Sequence, residues 1–420
     1  MAQLTDDCFS AGDALMTTEE ALALISMQVR ATTEVETVGL RSAANRILTH
    51  DLVAERNVPP HDNSAVDGYA FALDDLDTGA DSTVLMVAGQ AAAGHPLEIP
   101  VRNGEAVRIF TGAVMPEGVD TVAMQEDCTN ESVDRIGIPQ GLERGANRRR
   151  AGEDVKVGTT VLESGHRMRP QDIGLVASMG LSELRVYKRL RAVVLSTGDE
   201  VREPGDPVEL GCLYDANRYL LLTLLEGLGC NTTDFGILAD DRREIREGLR
   251  EAAAAADLVI SSGGVSVGQE DHVKAAVKEL GHLHFWRLAI KPGRPLALGQ
   301  IGTKPFIGLP GNPVASMVTF LRFARPLILR LAGARDVAPV LFRVRADFEH
   351  KKKRNRREWL RARLITDAGG EVVARKFDRQ GAGILSSLVD SDGLVELPED
   401  ITHIAVGTMV DFLPFNEVTP

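Results

Sequence analysis

Between Thr17 and Arg30 apolar side chains recur at helical spacing. Ala21, Leu22, Leu24, Ile25 and Val29 share one face, and Thr17 with Glu20 forms a capping box, so the segment predicts a helix. Beyond residue 51 the pattern shortens. Ser82–Val87 and Ala106–Phe110 are brief strand-like runs separated by Gly, Pro and Asp, which predicts a β-rich domain. Near Leu190 the pattern changes again. Apolar runs at Arg191–Ser196, Asp234–Leu238, Leu258–Ser261, Phe285–Ile290, Pro295–Leu298 and Pro305–Gly308 read as strands. Asn217–Leu228, Arg243–Ala256, Asp271–Leu280 and Pro313–Leu331 read as helices. Strands apolar on both sides, alternating with helices, predict a doubly wound parallel sheet covered on both faces. Such sheets bind ligands beyond the carboxyl ends of their strands. From about Ala338 the period falls to two, with Leu341, Arg343 and Arg345 interleaving Phe342, Val344 and Ala346. Leu360–Leu364, Glu371–Ala374 and Gly393–Leu397 follow, a small all-β C-terminal domain. There is no internal repeat and no low-complexity linker.

Composition narrows the function classes. A chain of 420 residues exceeds one ordinary core and implies two to four domains. The formal net charge of -13 repels nucleic acid and anionic lipid, so an anionic substrate would need a local basic exception. Cys8, Cys128, Cys212 and Cys230 lie far apart without CxxC spacing, which fits a reduced cytoplasmic protein with buried free thiols. The N-terminal MAQLTDDCFSAGD has no basic stretch and no apolar core, so no secretory signal is expected. The longest apolar stretch, Val314–Leu331, is interrupted by Arg322, Arg325 and Pro326, short of the ~20 residues that cross a bilayer. The basic run Lys351–Arg357 is either a nucleic-acid contact or a solvated hairpin turn. Net charge and the scarcity of aromatics favour the turn.

Three loops follow predicted strands of the α/β segment. They are Ser196-Thr197-Gly198-Asp199-Glu200, then Ser261 to Gly268 (SSGGVSVG), then Leu309-Pro310-Gly311-Asn312-Pro313 opening a helix. In the second, glycines let backbone N–H groups approach a ligand, and Ser262, Gly263, Gly264 and Ser266 offer donors ahead of a helix start; an ordinary Gly/Ser turn is the alternative. Lys291-Pro292-Gly293-Arg294-Pro295, with Arg287 upstream, places cations on a proline-stiffened turn suited to an oxyanion or to solvent. Glu200, Asp240 and Asp271 sit at strand ends. Singly each reads as a cap or surface charge; together with the glycine loops they suit Mg²⁺ held by few carboxylates and substrate oxygens. GxGxxG, GxxxxGK[ST] and GxSxG are absent. The residues alone lead to an Mg²⁺-assisted enzyme acting on a phosphorylated anion.

Eight segments resemble the molybdopterin molybdenumtransferases, the family of bacterial MoeA and the gephyrin E domain. They are Asn63–Ala70 (NSAVDGYA), Thr111-Gly112 with Pro116-Glu117-Gly118, Gly152-Glu153-Asp154, the STGDE loop, Asp215-Ala216-Asn217, SSGGVSVG with Asp271, KPGRP and GLPGNP, in the family's order. The resemblance implies an α/β multidomain chain: an elongated N-terminal domain from 1–50 and 150–188, a β-rich domain at 51–149, the molybdopterin-binding domain at 189–335 and a barrel-like β domain at 336–420. It implies a cytoplasmic homodimer whose cleft the partner subunit completes. Adenylylated molybdopterin and molybdate would bind with Mg²⁺, molybdenum would join the dithiolene and AMP would leave. The adenylyltransferase and recipient molybdoenzymes would be further partners.

Carried over by position, the functional residues are Asp67, Thr111, Glu200, Asp240 and Asp271, with Asp241 competing for the place of Asp240. Glu200, Asp240 and Asp271 would hold the metal. Ser266, Lys291 and Arg294 match anion-binding positions and Pro310 with Pro313 the last loop. Arg149 and Asp154 match an acidic/basic pair, and Ser386 loosely matches a ligand-facing serine. Arg294 and Arg287 stand where many relatives carry Lys, which changes contact geometry. A molybdopterin adenylyltransferase would leave NSAVDGYA and both β domains surplus. A gephyrin-like scaffold would leave the site residues unexplained.

Overall fold

The computed structural model describes residues 15–264, 272–293 and 295–419. The chain divides into two compact units, one of residues 1–49, 165–169 and 183–420, the other of residues 50–164 and 170–182.

In the second unit a six-stranded mixed sheet runs in the order Thr121–Met124, Gly68–Phe71, Glu105–Ile109, Ser82–Ala91, Arg135–Pro139 and Thr129–Ser132. Both faces are apolar. Ala70, Val107, Ile109 and Val122 pack on one side, and Phe71, Leu85, Ala106, Ile136 and Ile138 on the other. Alternation of side chains across each strand gives this two-sided burial directly.

The first unit opens with the helix Thr18–Gln28, and the expected capping box is present: the Glu20 N–H donates to Thr17 Oγ1 at 3.2 Å, and the Thr17 N–H donates to Glu20 Oε2 at 2.8 Å. Its central sheet is built from β1 (Arg191–Thr197), β2 (Asn231–Leu238), β3 (Leu258–Ser262), β4 (Gly281–Arg287), β5 (Pro295–Ile301) and β6 (Lys304–Leu309). The spatial order is β2-β1-β3-β6-β5-β4. Helices α1 (Asn217–Gly227), α2 (Arg242–Ala255), α3 (His272–Leu280) and α4 (Pro313–Thr319) connect or follow these strands. Ala192, Val194, Leu258 and Ile260 pack with Leu221, Leu225, Val314 and Val318 on one face. Val193, Leu195 and Val259 pack with Ile245, Leu249, Val273 and Val277 on the other. That is why these strands read as unbroken apolar runs.

One strand departs from the expected parallel arrangement. β5 runs antiparallel to both β4 and β6, because β5 and β6 form a hairpin in which Ile301 pairs with Lys304 across Gly302, whose φ of +58° suits so tight a turn. The predicted long helix from Pro313 is continuous in space but passes through a π-helical segment, Phe320–Ala324, before Arg325–Leu331.

The C-terminal strands close into a five-stranded barrel: Arg357–Thr366 pairs with both Val372–Lys376 and Gly393–Leu397, and Phe342–Ala346 and Met409–Pro414 complete the ring. The α/β part is stitched to it. Ile290–Lys291 pairs in parallel with Arg357–Glu358, and the buried Arg322 lies over the Trp359 ring and 3.2 Å from Glu396. Burial pushes the pKa of Arg322 down, the Glu396 carboxylate opposes that, and Arg357 adds to the lowering.

Two readings of isolated residues need correction. The basic run is a turn between strands with Lys351, Lys353, Arg354 and Asn355 exposed, but it is not solvated throughout: Lys352 is buried and donates to the carbonyls of Lys353, Arg356 and Glu399, while Arg357 pairs with Glu19, Glu396 and Glu399. Of the three described thiols, Cys230 is buried and Cys128 and Cys212 are half-buried; Cys8 lies outside the described residues.

Candidate functional site

β1 sits between β2 and β3, so the chain leaves it in one direction and returns on the other side, opening a crevice beyond the strand ends. A cleft of about 620 Å³ lies there. Ser196, Thr197 and Glu200 come from the end of β1 and its loop, Ser262 and Gly263 from β3, and Gly311, Asn312 and Pro313 from the loop after β6. Asp215, Ala216 and Asn217 supply the wall at the start of α1, and Gly383 and Leu385 come from the barrel.

The glycine loop needs its glycines. Gly263 and Gly264 have φ of +87° and +64°; a Cβ on Gly263 would lie 2.9 Å from the Thr197 carbonyl oxygen, and one on Gly264 would lie 2.3 Å from Val273 Cγ2. Not every backbone donor here is free, however. The Gly263 N–H donates to the Leu309 carbonyl at 3.1 Å, and the Val314 N–H, in the first turn of α4, donates to the Ala382 carbonyl at 3.0 Å.

Asn217 is 7% exposed. Its Nδ2 donates to Ser262 Oγ at 2.9 Å and to the Gly311 carbonyl at 2.8 Å, while its Oδ1 and the Ser196 Oγ have no partner. A cluster centred on the buried Arg218 and Asp215 beside it fixes the start of α1. Arg218 meets Asp215 at 3.0 Å and also pairs with Asp234 and Glu203. Burial opposes the Arg218 charge, but the carboxylates of Asp234 and Asp215 outweigh it and hold its pKa above the ordinary value.

Of the sequence-predicted residues, Glu200, Ser262, Gly263 and Pro313 line this cleft, Gly264 directly follows Gly263, and Pro310 is buried in the last loop. Ser386 is exposed, next to the lining Leu385. Asp240 and Asp241 separate clearly. Asp241 caps α2, accepting from the N–H groups of Arg243 and Glu244 at 2.9 Å each, and those bonds lower its pKa. The Asp240 carboxylate is exposed, and its N–H donates to Asp199 Oδ1 at 3.1 Å. Arg287 and Lys291 do not line the cleft. Lys291, 41% exposed at its side chain, lies 3.4 Å from the 1%-exposed Glu358, which His350 meets at 3.1 Å and Arg356 also pairs. Burial would raise the Glu358 pKa, but these partners bring it down to about 2. Ser266, Asp271 and Arg294 lie outside the described residues.

The other unit holds a second pair. Asp67 Oδ1 accepts from the Thr111 N–H and from the Thr111 hydroxyl, both at 2.8 Å, and these bonds lower its pKa, the backbone one most. Arg149 and Asp154 form no ion pair; Arg149 pairs by strand register with Asn63, and the ion pair nearby joins Arg148 to Asp62. Among the described residues no group of three His, Cys, Asp or Glu side chains is placed to hold a metal by itself. Ser196 and Asn217 stand within the Ser196–Glu200 and Asp215–Asn217 segments without a role of their own in the sequence, and Gly383 falls in none of the segments. The orphaned oxygen of Asn217 becomes visible only once Gly311 is beside it.

Residues 16–180 match the MoeA N-terminal region (domain I and II), residues 193–330 the probable molybdopterin binding domain, and residues 343–415 the MoeA C-terminal region (domain IV). A molybdopterin molybdenumtransferase of Haemophilus influenzae is 39% identical, over 96% of this chain and 100% of its own length. One from a Nostoc species is 35% identical over 89% and 87%. A crystal structure of a molybdopterin biosynthesis MoeA protein from Pyrococcus horikoshii superposes with a TM-score of 0.81 at 29% identity, covering 96% of this chain and 100% of that one.

Proposed function

The chain belongs to the molybdopterin molybdenumtransferase family, and from that premise we propose that its α/β cleft receives adenylylated molybdopterin and couples molybdate insertion to Mg²⁺-dependent release of AMP. It is a transferase of molybdenum-cofactor synthesis, a molybdenum insertase. The observation that carries the detailed reading is the cleft itself. A two-glycine turn, a strand-end carboxylate and the Pro310–Pro313 loop converge at the switch point of the sheet, where this architecture takes its ligands.

In this reading Ser262, Gly263, Gly264 and Ser266 with Pro310 and Pro313 cradle the substrate. Arg287, Lys291 and Arg294 would supply the local positive charge that an anion needs on an acidic protein, although the first two stand outside the cleft's lining and Lys291 would have to exchange Glu358 for the anion. Glu200 lines the cleft with an exposed carboxylate, and Asp240 stands beside Asp199. Mg²⁺ is commonly held by one or two carboxylates with waters and phosphate oxygens, so this donor set fits it; Glu200, Asp240 and Asp271 would be its ligands. When bound, the ion would supply charge neutralisation at the phosphoanhydride. Asp67, kept ionised by Thr111, with Arg149, Asp154 and Ser386, would complete the site, the first three from the partner subunit of a cytoplasmic homodimer.

The test is direct. Purified protein is mixed with adenylylated molybdopterin, Mg²⁺ and molybdate, and AMP is quantified by chromatography. Stoichiometric AMP appearing only when both ions are present is expected. No AMP, or a requirement for ATP, refutes the reading and favours an adenylyltransferase.

A further inference from the structure

The orphaned oxygen of Asn217 has a chemistry that can be deduced. Its Nδ2 donates to the Gly311 carbonyl, and a carbonyl can only accept. The amide cannot be turned over, because its oxygen would then face the Gly311 oxygen. Asn217 Oδ1 is therefore an acceptor with both lone pairs unclaimed, on a side chain more than nine-tenths buried. Ser196 Oγ, buried at the end of β1 and lining the same cleft, also lacks a partner. Native proteins rarely leave such groups unmet unless something else meets them.

An acceptor selects its complement. It repels a phosphate or molybdate oxygen, so this wall is not where the anionic end lies. Adenine is a poor fit as well. Asparagine reads adenine with its amide N–H and oxygen together, and here the N–H is already committed to Gly311 and Ser262. The amino-oxo-pyrimidine edge of a pterin instead offers two adjacent N–H donors. We infer that Asn217, with Ser196, is the residue that recognises the pterin by its N–H edge and so sets which end of the substrate enters this wall. The inference rests on the function proposed above. It adds a ligand orientation: pterin against Asn217 and Ser196, phosphates away from that wall. The locked Arg218–Asp215 cluster keeps the amide in place without ligand, so little ordering is needed on binding.

The experiment compares two probes that differ at the 2-position, N1 gaining a hydrogen where the amino group is lost. Pterin and lumazine, in which an oxo acceptor replaces the amino donor, are titrated into wild-type protein and into N217A while ligand fluorescence is followed. Wild type should prefer pterin by about tenfold or more, and N217A should lose that preference, because an acceptor facing an acceptor penalises lumazine only while the amide is present. S196A removes a hydroxyl that bonds nothing in the protein, so it should fold normally and weaken pterin several-fold. It decides the matter if N217A does not fold. Equal wild-type affinity for the two probes, no detectable pterin binding, or an unchanged preference in a folded variant overturns the inference. A protein that prefers pterin but releases no AMP refutes the proposed function and leaves this assignment standing.

Discussion

Glu358 should be among the most consequential single carboxylates for stability. It is 1% exposed and is met by Lys291, His350 and Arg356. Its pKa falls from 4.5 to about 2, a difference of about 2.5, and at 1.36 kcal/mol per unit that corresponds to roughly 3 kcal/mol of stability at neutral pH. The folded value is depressed, so this contribution is complete above the unfolded value of about 4.5 and is lost as pH falls from there through about 2. By pH 4 part of it should already be gone. Glu358→Gln keeps the shape and one acceptor but removes the charge, leaving three cationic or polar partners facing each other. The assay is urea unfolding of both proteins at pH 7 and at pH 4. Glu358→Gln should be less stable by about 2–3 kcal/mol at pH 7, and the gap should narrow at pH 4. Equal midpoints at pH 7, or a gap that widens with acid, would refute the reasoning.

Two further substitutions test other parts of the site. Asp241→Ala should cost about 1 kcal/mol in thermal unfolding and leave AMP release near normal, since Asp241 caps α2, whereas Asp240→Ala should do the reverse; reduced AMP release by Asp241→Ala in a stable protein would reassign the pair. Thr111→Ala removes one of two bonds to Asp67 and should raise that carboxyl toward its ordinary value, moving the acid limb of the pH profile of AMP release to higher pH, and an unmoved limb would separate Asp67 from the chemistry.

Much of this was legible in the chain because it is written locally. The capping box at Thr17 and the unbroken apolar strands β1 and β3 each depend on residues close in sequence. The glycine loop announced itself because a ligand-approaching turn needs residues that tolerate positive φ. What stayed hidden depends on distant pairing. Lys291 looked free because Glu358 is 67 residues away, and Arg357, at the end of the basic run, looked solvated because its acids, Glu19, Glu396 and Glu399, come from other segments. The reversed β5 was hidden because one short turn, not the apolar pattern, decides strand direction. Asp240 and Asp241 were inseparable by composition and were distinguished by which one helix α2 uses as its cap.

The seam between the α/β layers and the closing barrel bears on how the polypeptide can be dissected. Arg322 belongs to the helical side, yet its ion partner Glu396 and the ring beneath it, Trp359, belong to the barrel. Removing everything after residue 335 would strand a guanidinium in an apolar layer and leave the strand-forming groups of Ile290 and Lys291 with no neighbour. A shortened protein of that kind would expose a sticky half-interface and an open strand edge, so it should aggregate instead of behaving as a small autonomous pterin binder. The segment from 193 to 330 matches a module by itself, but in this chain it has been soldered to its neighbour, and its boundaries in sequence are not boundaries along which the molecule can be parted.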